Sequence, residues 1–222
     1  MAFTAHRESL AGMSVPTLLL FVKYPDAGRV KTRLAATMGF EEAARIHRVL
    51  VTEVLRRIPA GISLQVWFDP PGREGASREW LGELVPRGTR FLPQRAGDLG
   101  ERLIAAFAFA FESGHGPVAA IGGDCPDVAA ATFAEAWAGL AEGADVVLGP
   151  SADGGYYLVA LARPLPALFE GIPWGESSVL ATTLERVREQ GLAARLLDRL
   201  EDVDTEEDWV RVRDRFEPGH GA

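Results

Sequence analysis

The sequence predicts an α/β fold in which a mostly parallel central sheet is flanked by helices. Short apolar segments, each the length of a single strand, alternate along the chain with longer segments whose apolar residues recur every three or four positions. This alternation is typical of a parallel sheet covered by helices on both faces. Ligands of such sheets bind beyond the carboxyl ends of the strands, so we expect the functional residues there.

The first strand and the first long helix are the clearest elements. Residues 17–24 (TLLLFVKY) form a continuous apolar run, as expected of a strand buried on both faces. Residues 41–58 place four aliphatic residues four positions apart, and 59–61 (PAG) ends that helix. Thr205 and Asp208 have the spacing of a capping box and start the last helix. Further strands are predicted at 63–68, 90–92, 117–121, 145–148, 156–161 and 195–197, and further helices at 99–111, 132–142 and 177–191, the last with Ser177 as its N-cap.

Composition narrows the class of protein. The chain has 222 residues, of which 47% are hydrophobic and 24% charged, and we expect a tail at 1–15 followed by a single globular domain at 16–218. The net charge of −8 argues against binding of nucleic acid. No apolar run approaches the roughly 20 residues of a membrane span, and the sequence starts without a secretory signal pattern. Together with the single cysteine, Cys125, these features indicate a cytoplasmic protein.

A basic segment follows the first predicted strand. Residues 25–34 (PDAGRVKTRL) combine Gly28, which lets a ligand approach the backbone, with the hydroxyl of Thr32. The same segment carries three cations, Arg29, Lys31 and Arg33. Phosphate is the natural partner of such a group, and the alternative is a solvated basic turn. The P-loop and the Gly-x-Gly-x-x-Gly fingerprint are absent from the sequence, which disfavours ATP hydrolysis and hydride transfer.

Two acidic segments also follow predicted strands. Asp124, in the sequence GGDCPD, is expected to bind Mg²⁺ or Mn²⁺ together with phosphate oxygens of a substrate. The role of Asp127 stays open between metal binding and capping of the next helix. In 202–205 (DVDT) we expect only one aspartate to reach the site. We assign Asp204 as the second metal ligand, because Thr205 can cap the last helix by itself.

Six motifs occur in order along residues 16–216. They are VKYPDAGRVKTRL (22–34), QRAGDLGERL (94–103), IGGDCPD (121–127), LGPSADGGYYLVAL (148–161), IPWGESSVL (172–180) and DVDTEEDW (202–209). Together they resemble the GT-A-like nucleotide-diphospho-sugar transferases, which have a Rossmann-like fold. The closest resemblance is to the bacterial arsenosugar-biosynthesis, or selenodomain-associated, glycosyltransferases. The basic and acidic segments are also similar to those of molybdopterin and phospholactate guanylyltransferases. The Asp-x-Asp signature of glycosyltransferases is not present, since 124–127 reads DCPD.

The resemblance implies a nucleotide side and an acceptor side of one site. On the nucleotide side it implies that Gln94, Asp98 and Arg102 bind the nucleotide with the basic segment, while Asp124 and Asp204 hold the metal. On the acceptor side it implies contacts from Asp153, Gly154, Gly155, Tyr156, Trp174 and Glu176. Asp124, Asp153 and Glu176 are the expected catalytic residues, with Asp153 binding a hydroxyl or acting as a base and Glu176 binding an acceptor hydroxyl. The alternatives are a glycine turn at 153–155, and a buried Trp174 beside an acidic helix start.

We therefore expect a metal-dependent glycosyltransferase that moves a sugar from a nucleoside-diphosphate donor to a small acceptor, with Mg²⁺ or Mn²⁺ as cofactor. One alternative is a guanylyltransferase-like nucleotidyltransferase that joins a nucleoside monophosphate to a phosphorylated small molecule. Another is a non-catalytic nucleotide-binding protein, since a fold alone does not establish activity. The sequence leaves open the base, the sugar, the acceptor, the stereochemical course and whether the protein forms a homo-oligomer.

Overall fold

The computed structural model describes residues 15–114 and 116–216, which contain seven strands and seven α-helices. The tail expected at 1–15 lies outside the described residues except for Val15, as do the last two residues of the expected domain. The strands are β1 (Thr17–Lys23), β2 (Ser63–Asp69), β3 (Arg90–Pro93), β4 (Val118–Ile121), β5 (Val146–Pro150), β6 (Tyr156–Leu161) and β7 (Ala194–Leu196). The helices are α1 (Thr32–Met38), α2 (Phe40–Arg57), α3 (Glu74–Leu81), α4 (Leu99–Glu112), α5 (Ala130–Ala141), α6 (Val179–Glu189) and α7 (Glu206–Val212).

All seven strands belong to one sheet, in the order β3-β2-β1-β4-β6-β5-β7. Neighbouring strands are parallel, except that β6 runs antiparallel to β4 and β5. The predicted mostly parallel sheet flanked by helices is therefore confirmed. Because β6 is reversed, its first residue, Tyr156, lies at the same edge of the sheet as the carboxyl end of β4. This edge carries the candidate site.

The central strand is buried on both faces. In β1, Leu18, Leu19 and Leu20 are each 0% exposed, as the continuous apolar run predicts. Leu18 and Leu20 pack in one apolar cluster with residues of α2 and α5, whereas Leu19 packs in a second cluster with residues of α4 and α6. Burial of each leucine contributes roughly 1.5–3 kcal/mol. The alternation along the strand thus anchors helices to both faces of the sheet.

A third apolar cluster joins α7 to the first two helices. Trp209 of α7, which is 1% exposed, belongs to it together with Leu34 of α1 and Ile46 and Leu50 of α2. The cluster holds the segment that precedes α7 against the segment that follows β1. These two segments carry Asp204 and Lys31, so the cluster fixes the position of one relative to the other.

Helices α1 and α3 are missing from the sequence-based prediction. Residues 32–34 were expected to continue the basic loop, but they form the first turn of α1. The polar segment after β2 contains α3. Each helix has seven or eight residues and two buried side chains, so its apolar repeat is too short to recognise.

Two helix starts were predicted in detail, and one of them is wrong. The helix expected to begin after Ser177 begins at Val179, and Ser178 at its N-cap position makes no side-chain hydrogen bond. The capping box before α7 is confirmed, because the Asp208 N–H donates to Thr205 Oγ1 at 3.2 Å and the Thr205 N–H donates to Asp208 Oδ2 at 2.9 Å. Among the helices of residues 15–114 and 116–216, none is long and apolar enough to cross a membrane.

Candidate functional site

The two aspartates assigned to the metal lie side by side at the carboxyl edge of the sheet. Asp124 follows β4, and the segment that carries Asp204 reaches it because the Val203 N–H donates to the Asp124 carbonyl oxygen at 3.1 Å. The Asp204 N–H in turn donates to Asp208 Oδ2 at 3.1 Å, within the cap of α7. These hydrogen bonds therefore hold the main chain at Asp124 and Asp204 in place.

Lys31 lies between these two carboxylates. Its Nζ is 2.8 Å from Asp204 Oδ1 and 3.2 Å from Asp124 Oδ1, and its side chain is only 3% exposed. Among the described residues it is the only non-glycine with a positive φ, at 46°. That conformation costs about 1–2 kcal/mol in an L-residue and turns the side chain inward at the start of α1. The ammonium expected to bind phosphate is thus paired with both expected metal ligands.

Lys31 and Asp124 stabilise each other's charged form. Burial opposes the charge of Lys31, but the carboxylates of Asp124 and Asp204 outweigh it and raise the pKa of Lys31 above its usual range. Burial likewise opposes the charge of Asp124, but Lys31 and His47 hold the pKa of Asp124 well below its usual range. Both groups are therefore charged at neutral pH.

His47, on α2, is a member of the site that sequence reasoning missed. Its Nε2 lies 3.0 Å from the Lys23 carbonyl oxygen, which can only accept, so Nε2 is the donor. Its Nδ1 then faces Asp124 Oδ1 at 3.6 Å. The sequence feature that could have indicated His47 is its place on the apolar face of the predicted helix. In the structure this histidine is 5% exposed.

Asp202 corrects one expectation about the second acidic segment. Only Asp204 was expected to reach the site, but both aspartates line the same cavity. Residues two apart in an extended chain face the same side, which is the physical reason for the error. Burial, followed by the carboxylates of Asp124, Asp153 and Asp204, raises the pKa of Asp202 to about 7. Shifts of this kind are common at functional sites.

The carboxylates fit a divalent cation that takes its other ligands from a substrate. Within the described part of the chain, no three His, Cys, Asp or Glu side chains are grouped so as to hold a metal by themselves. Asp124 Oδ1 is buried, and its contacts with Lys31 at 3.2 Å and His47 at 3.6 Å lack the geometry of a hydrogen bond. The Asp124 side chain as a whole is 45% exposed and lines both cavities of the site. Magnesium sites commonly combine one or two carboxylates with phosphate oxygens and water. A cation between Asp124 and Asp204 would take the place of the Lys31 ammonium.

Two cavities meet at these carboxylates. The larger has a volume of about 660 Å³ and lies between the start of α1, the carboxyl end of β1 and the start of α4. The smaller has a volume of about 240 Å³ and lies between α4, β4 and the start of β6. Five residues line both cavities: Phe21, Leu99, Gly122, Asp124 and Asp204. Two ligands bound in the two cavities would therefore meet beside Asp124 and Asp204.

The structure separates the predicted site residues into three groups. Lining the larger cavity are Lys31, Thr32, Arg33, Gln94, Asp98, Arg102, Asp124, Trp174 and Asp204. Lining the smaller cavity are Asp124, Asp153, Tyr156 and Asp204. Lining neither of them are Gly28, Arg29, Gly154, Gly155 and Glu176.

Trp174, which the resemblance assigns to the acceptor side, lines the larger cavity. Its ring packs edge-to-face against that of Tyr156, which lines the smaller cavity, at 6.2 Å between centroids, and its contact with an acceptor stays a prediction. Glu176 is exposed and lines neither cavity, which leaves its predicted catalytic role without a contact to the site. Asp127 also stays outside, because its carboxylate pairs with Arg215.

Arg102 is held in position by a buried amide. Gln94 is 6% exposed, and its Nε2 donates to the Trp67 carbonyl oxygen at 2.8 Å. Its Oε1 accepts a hydrogen bond from Arg102 Nη1 at 3.2 Å, and Arg102 Nε donates to the Gly97 carbonyl oxygen at 3.0 Å. Asp98 caps α4 through its bond from the Glu101 N–H. These bonds orient the Arg102 guanidinium in the wall of the larger cavity.

The turn before β6 requires glycine at position 154. Gly154 has a φ of 92°, and a Cβ there would lie 2.1 Å from the Ser177 carbonyl oxygen. We expect Gly154→Ala to lower the free energy of unfolding by about 2–4 kcal/mol, measured by urea denaturation. Gly175→Ala is the matched control, since Gly175 has a φ of 89° and no atom within 4 Å of its Cβ position. An equal loss in the two variants would contradict the role of the Ser177 contact.

Comparison with known proteins identifies the family. A family model described as "Uncharacterized protein conserved in bacteria (DUF2064)" matches residues 54–176. A crystal structure from Desulfovibrio desulfuricans G20, provisionally assigned as a nucleotide-diphospho-sugar transferase, is 34% identical to this chain. The two align with a TM-score of 0.82 over 94% of this chain and 90% of that one. No curated protein sequence matches.

More distant structures share the fold. A CMP:2-keto-3-deoxy-manno-octonic acid synthetase complexed with CTP is 14% identical, with a TM-score of 0.56 over 91% of this chain and 98% of that one. The glucosyl-3-phosphoglycerate synthase of Mycobacterium tuberculosis, in complex with Mn²⁺, UDP and glucosyl-3-phosphoglycerate, is 13% identical to this chain. The two align with a TM-score of 0.56 over 94% of this chain and 78% of that one. The closer resemblance to arsenosugar-biosynthesis glycosyltransferases stays a prediction. The chain belongs to the DUF2064 family of bacterial proteins and has the nucleotide-diphospho-sugar transferase fold.

Proposed function

We propose that this protein is a metal-dependent glycosyltransferase that moves a sugar from a nucleoside-diphosphate donor to a small acceptor. The observation that carries the proposal is the meeting of two cavities at Asp124 and Asp204. A transferase needs two ligands with their reacting atoms in contact. The similarity to a protein provisionally assigned as a nucleotide-diphospho-sugar transferase supports the same reaction class.

The larger cavity suits the nucleotide. Its volume of about 660 Å³ lies within the usual range for small-molecule sites, and cationic side chains line it. Arg33 is 71% exposed, and Arg102 is held by Gln94, so both guanidinium groups can form paired hydrogen bonds with phosphate oxygens. Lys31 can turn from the carboxylates to a phosphate once another cation is bound between Asp124 and Asp204.

The residues at the junction would handle the reacting groups. A divalent cation held by Asp124 and Asp204 would supply positive charge that stabilises the nucleoside-diphosphate leaving group. Asp153 Oδ1 accepts a hydrogen bond from the Gly155 N–H at 2.9 Å and another from the Ser151 hydroxyl. These bonds orient the carboxylate at the wall of the smaller cavity and leave Oδ2 to accept the proton of an acceptor hydroxyl.

Nucleotidyl transfer is the second candidate function. The cations of the larger cavity would also suit a nucleoside triphosphate, and a synthetase of the same fold is known in complex with CTP. In that reaction a substrate oxygen attacks the α-phosphorus and pyrophosphate leaves. The two functions differ in the nucleotide that binds, so a single titration separates them.

The test is calorimetric titration with UDP-, GDP- and dTDP-sugars and with the matching triphosphates, with and without Mg²⁺ or Mn²⁺. We expect one nucleotide sugar to bind at least about tenfold more tightly with metal, because the cation screens its phosphates from Asp124 and Asp204. The Asp124→Asn variant should bind the nucleotide sugar no more tightly with metal than without it. Asp214→Asn is the control, since the Asp214 side chain is 85% exposed and lines neither cavity.

Preference for a triphosphate would replace glycosyl by nucleotidyl transfer. Binding without turnover of any donor or acceptor would support the non-catalytic alternative. Absence of binding by every nucleotide, in a protein that remains folded, would overturn the proposal.

A further inference from the structure

The smaller cavity indicates the chemistry of the acceptor, an inference that rests on the proposed function. Its floor is apolar, with Phe21 of β1, Leu103 of α4, Ala120 of β4 and Val159 of β6. These side chains belong to or pack against one buried cluster, which keeps the floor rigid. Such a surface favours an acceptor with an apolar face.

The rim of the smaller cavity is acidic. Four carboxylates line it, those of Asp124, Asp153, Asp202 and Asp204, and none of its described lining residues is Lys, Arg or His. The larger cavity differs in having cations, since Lys23, Lys31, Arg33 and Arg102 line it together with Asp98, Asp124 and Asp204. Lys31 forms ion pairs with two of these carboxylates, those of Asp124 and Asp204, but does not itself line the smaller cavity.

This division of charge excludes one class of acceptor. With Asp124 and Asp204 paired with Lys31 or a bound cation, a phosphate or carboxylate in this cavity would still face the Asp153 carboxylate, and no Lys, Arg or His among the described lining residues would attract it. Carboxylate oxygens are hydrogen-bond acceptors, so they match hydroxyl and ammonium donors.

The size of the cavity sets the size of the acceptor. A volume of about 240 Å³ corresponds to about eight water molecules at roughly 30 Å³ each. That space accommodates a group of the size of a monosaccharide or a substituted phenyl ring.

We propose that the acceptor is a hydroxyl compound of about this size, with an apolar face and without a phosphate or carboxylate group. Its hydroxyl oxygen would form the new bond to the anomeric carbon of the donor sugar, while the bond from that carbon to the nucleoside diphosphate breaks. The leaving group would keep the electron pair and remain in the larger cavity. The hydroxyl proton would pass to the Asp153 carboxylate.

The test uses four probes that share a ring and differ in charge: benzyl alcohol, benzylamine, benzoate and phenyl phosphate. Their affinities for the full chain are measured by ligand-observed NMR without nucleotide. We expect benzyl alcohol and benzylamine to bind at least about tenfold more tightly than the two anions, because the rim is acidic. Equal or tighter binding of an anion would overturn the proposal, and so would failure of benzyl alcohol to bind at all.

Matched variants show where the probes bind. Asp153→Asn keeps an oxygen for the bonds from Ser151 and Gly155 but removes one charge of the rim, so it should reduce the discrimination against benzoate about threefold or more. Asp198→Asn removes a nearby exposed charge that does not line the cavity and should leave the discrimination unchanged. Equal effects of the two substitutions would contradict binding in the smaller cavity.

Failure of this inference is distinguishable from failure of the proposed function. If the nucleotide titration succeeds and the anions bind as well as benzyl alcohol, only the acceptor class is wrong. If no nucleotide binds while the neutral probe does, the proposed function fails although the preference of the cavity stands.

Discussion

Replacing Lys31 with methionine is expected to strengthen the binding of Mn²⁺ alone about tenfold and to weaken nucleotide binding by at least about tenfold. Methionine keeps most of the side-chain volume but removes the ammonium that lies 2.8 Å from Asp204 Oδ1 and 3.2 Å from Asp124 Oδ1. A cation can then bind between the carboxylates without displacing another charge. The nucleotide, however, loses a phosphate partner. Calorimetric titration with Mn²⁺ alone, and then with the nucleotide, measures both effects.

The stability of the same variant provides a second readout. Without metal, Lys31→Met should lower the free energy of unfolding by about 1–3 kcal/mol, because Asp124 and Asp204 lose their shared cation. The loss is kept small by the partial exposure of both carboxylates. Addition of Mn²⁺ should then raise the melting temperature of the variant more than that of the wild type.

Lys23→Met is the control for this prediction. Lys23 is exposed at the end of β1 and forms no ion pair within the described residues, so its replacement should leave the Mn²⁺ affinity unchanged. Weaker binding of Mn²⁺ by Lys31→Met than by the wild type would show that the ammonium and the cation do not compete for one position.

Asp204→Asn is expected to lower kcat/KM for transfer by about a hundredfold or more and to abolish the response to Mn²⁺. The amide keeps the shape of the carboxylate but not its charge. Asp202→Asn is the matched variant, two residues away in the same segment and lining the same cavity. It should change the Mn²⁺ affinity by less than about threefold, since Asp202 forms no ion pair with Lys31 in the structure.

Electron paramagnetic resonance of bound Mn²⁺ distinguishes the two aspartates directly. Loss of Mn²⁺ in Asp202→Asn together with its retention in Asp204→Asn would show that the wrong residue was assigned as the ligand. Retention of bound Mn²⁺ in both variants would show that the cation binds at another position.

Most of the sheet could be predicted from the sequence because buried strands and long helices leave strong local patterns. The β1 prediction ended one residue beyond the observed strand, and the long helix at 41–58 differs from α2 by one residue at each end. Helices α1 and α3 were not predicted, because each buries only two side chains and so leaves no recognisable apolar repeat in the sequence. Their stability comes from packing against elements far away in the chain, as Leu34 of α1 packs with Trp209 of α7.

The place of the candidate site in the fold could be predicted because several motifs follow strands. Asp124, Asp204 and Arg33 were placed near one another on this basis, and the structure brings them to one edge of the sheet. Glu176 and Trp174 were assigned from resemblance to the acceptor side, and their observed positions follow from the path of the chain between β6 and α6.

By itself, the sequence determined the α/β class, the order of the strands and of the longer helices, and the acidic and basic segments that follow strands, because these depend on periodicity and on neighbours in the chain. Only the tertiary structure decided that Lys31 pairs with Asp204, 173 residues away, and that His47 faces Asp124. It also decided that the strand ends enclose two cavities, one with both cations and carboxylates and one with carboxylates but no Lys, Arg or His among its described lining residues. Such contacts arise from the strand order and from helix packing, which bring together side chains that no local pattern connects.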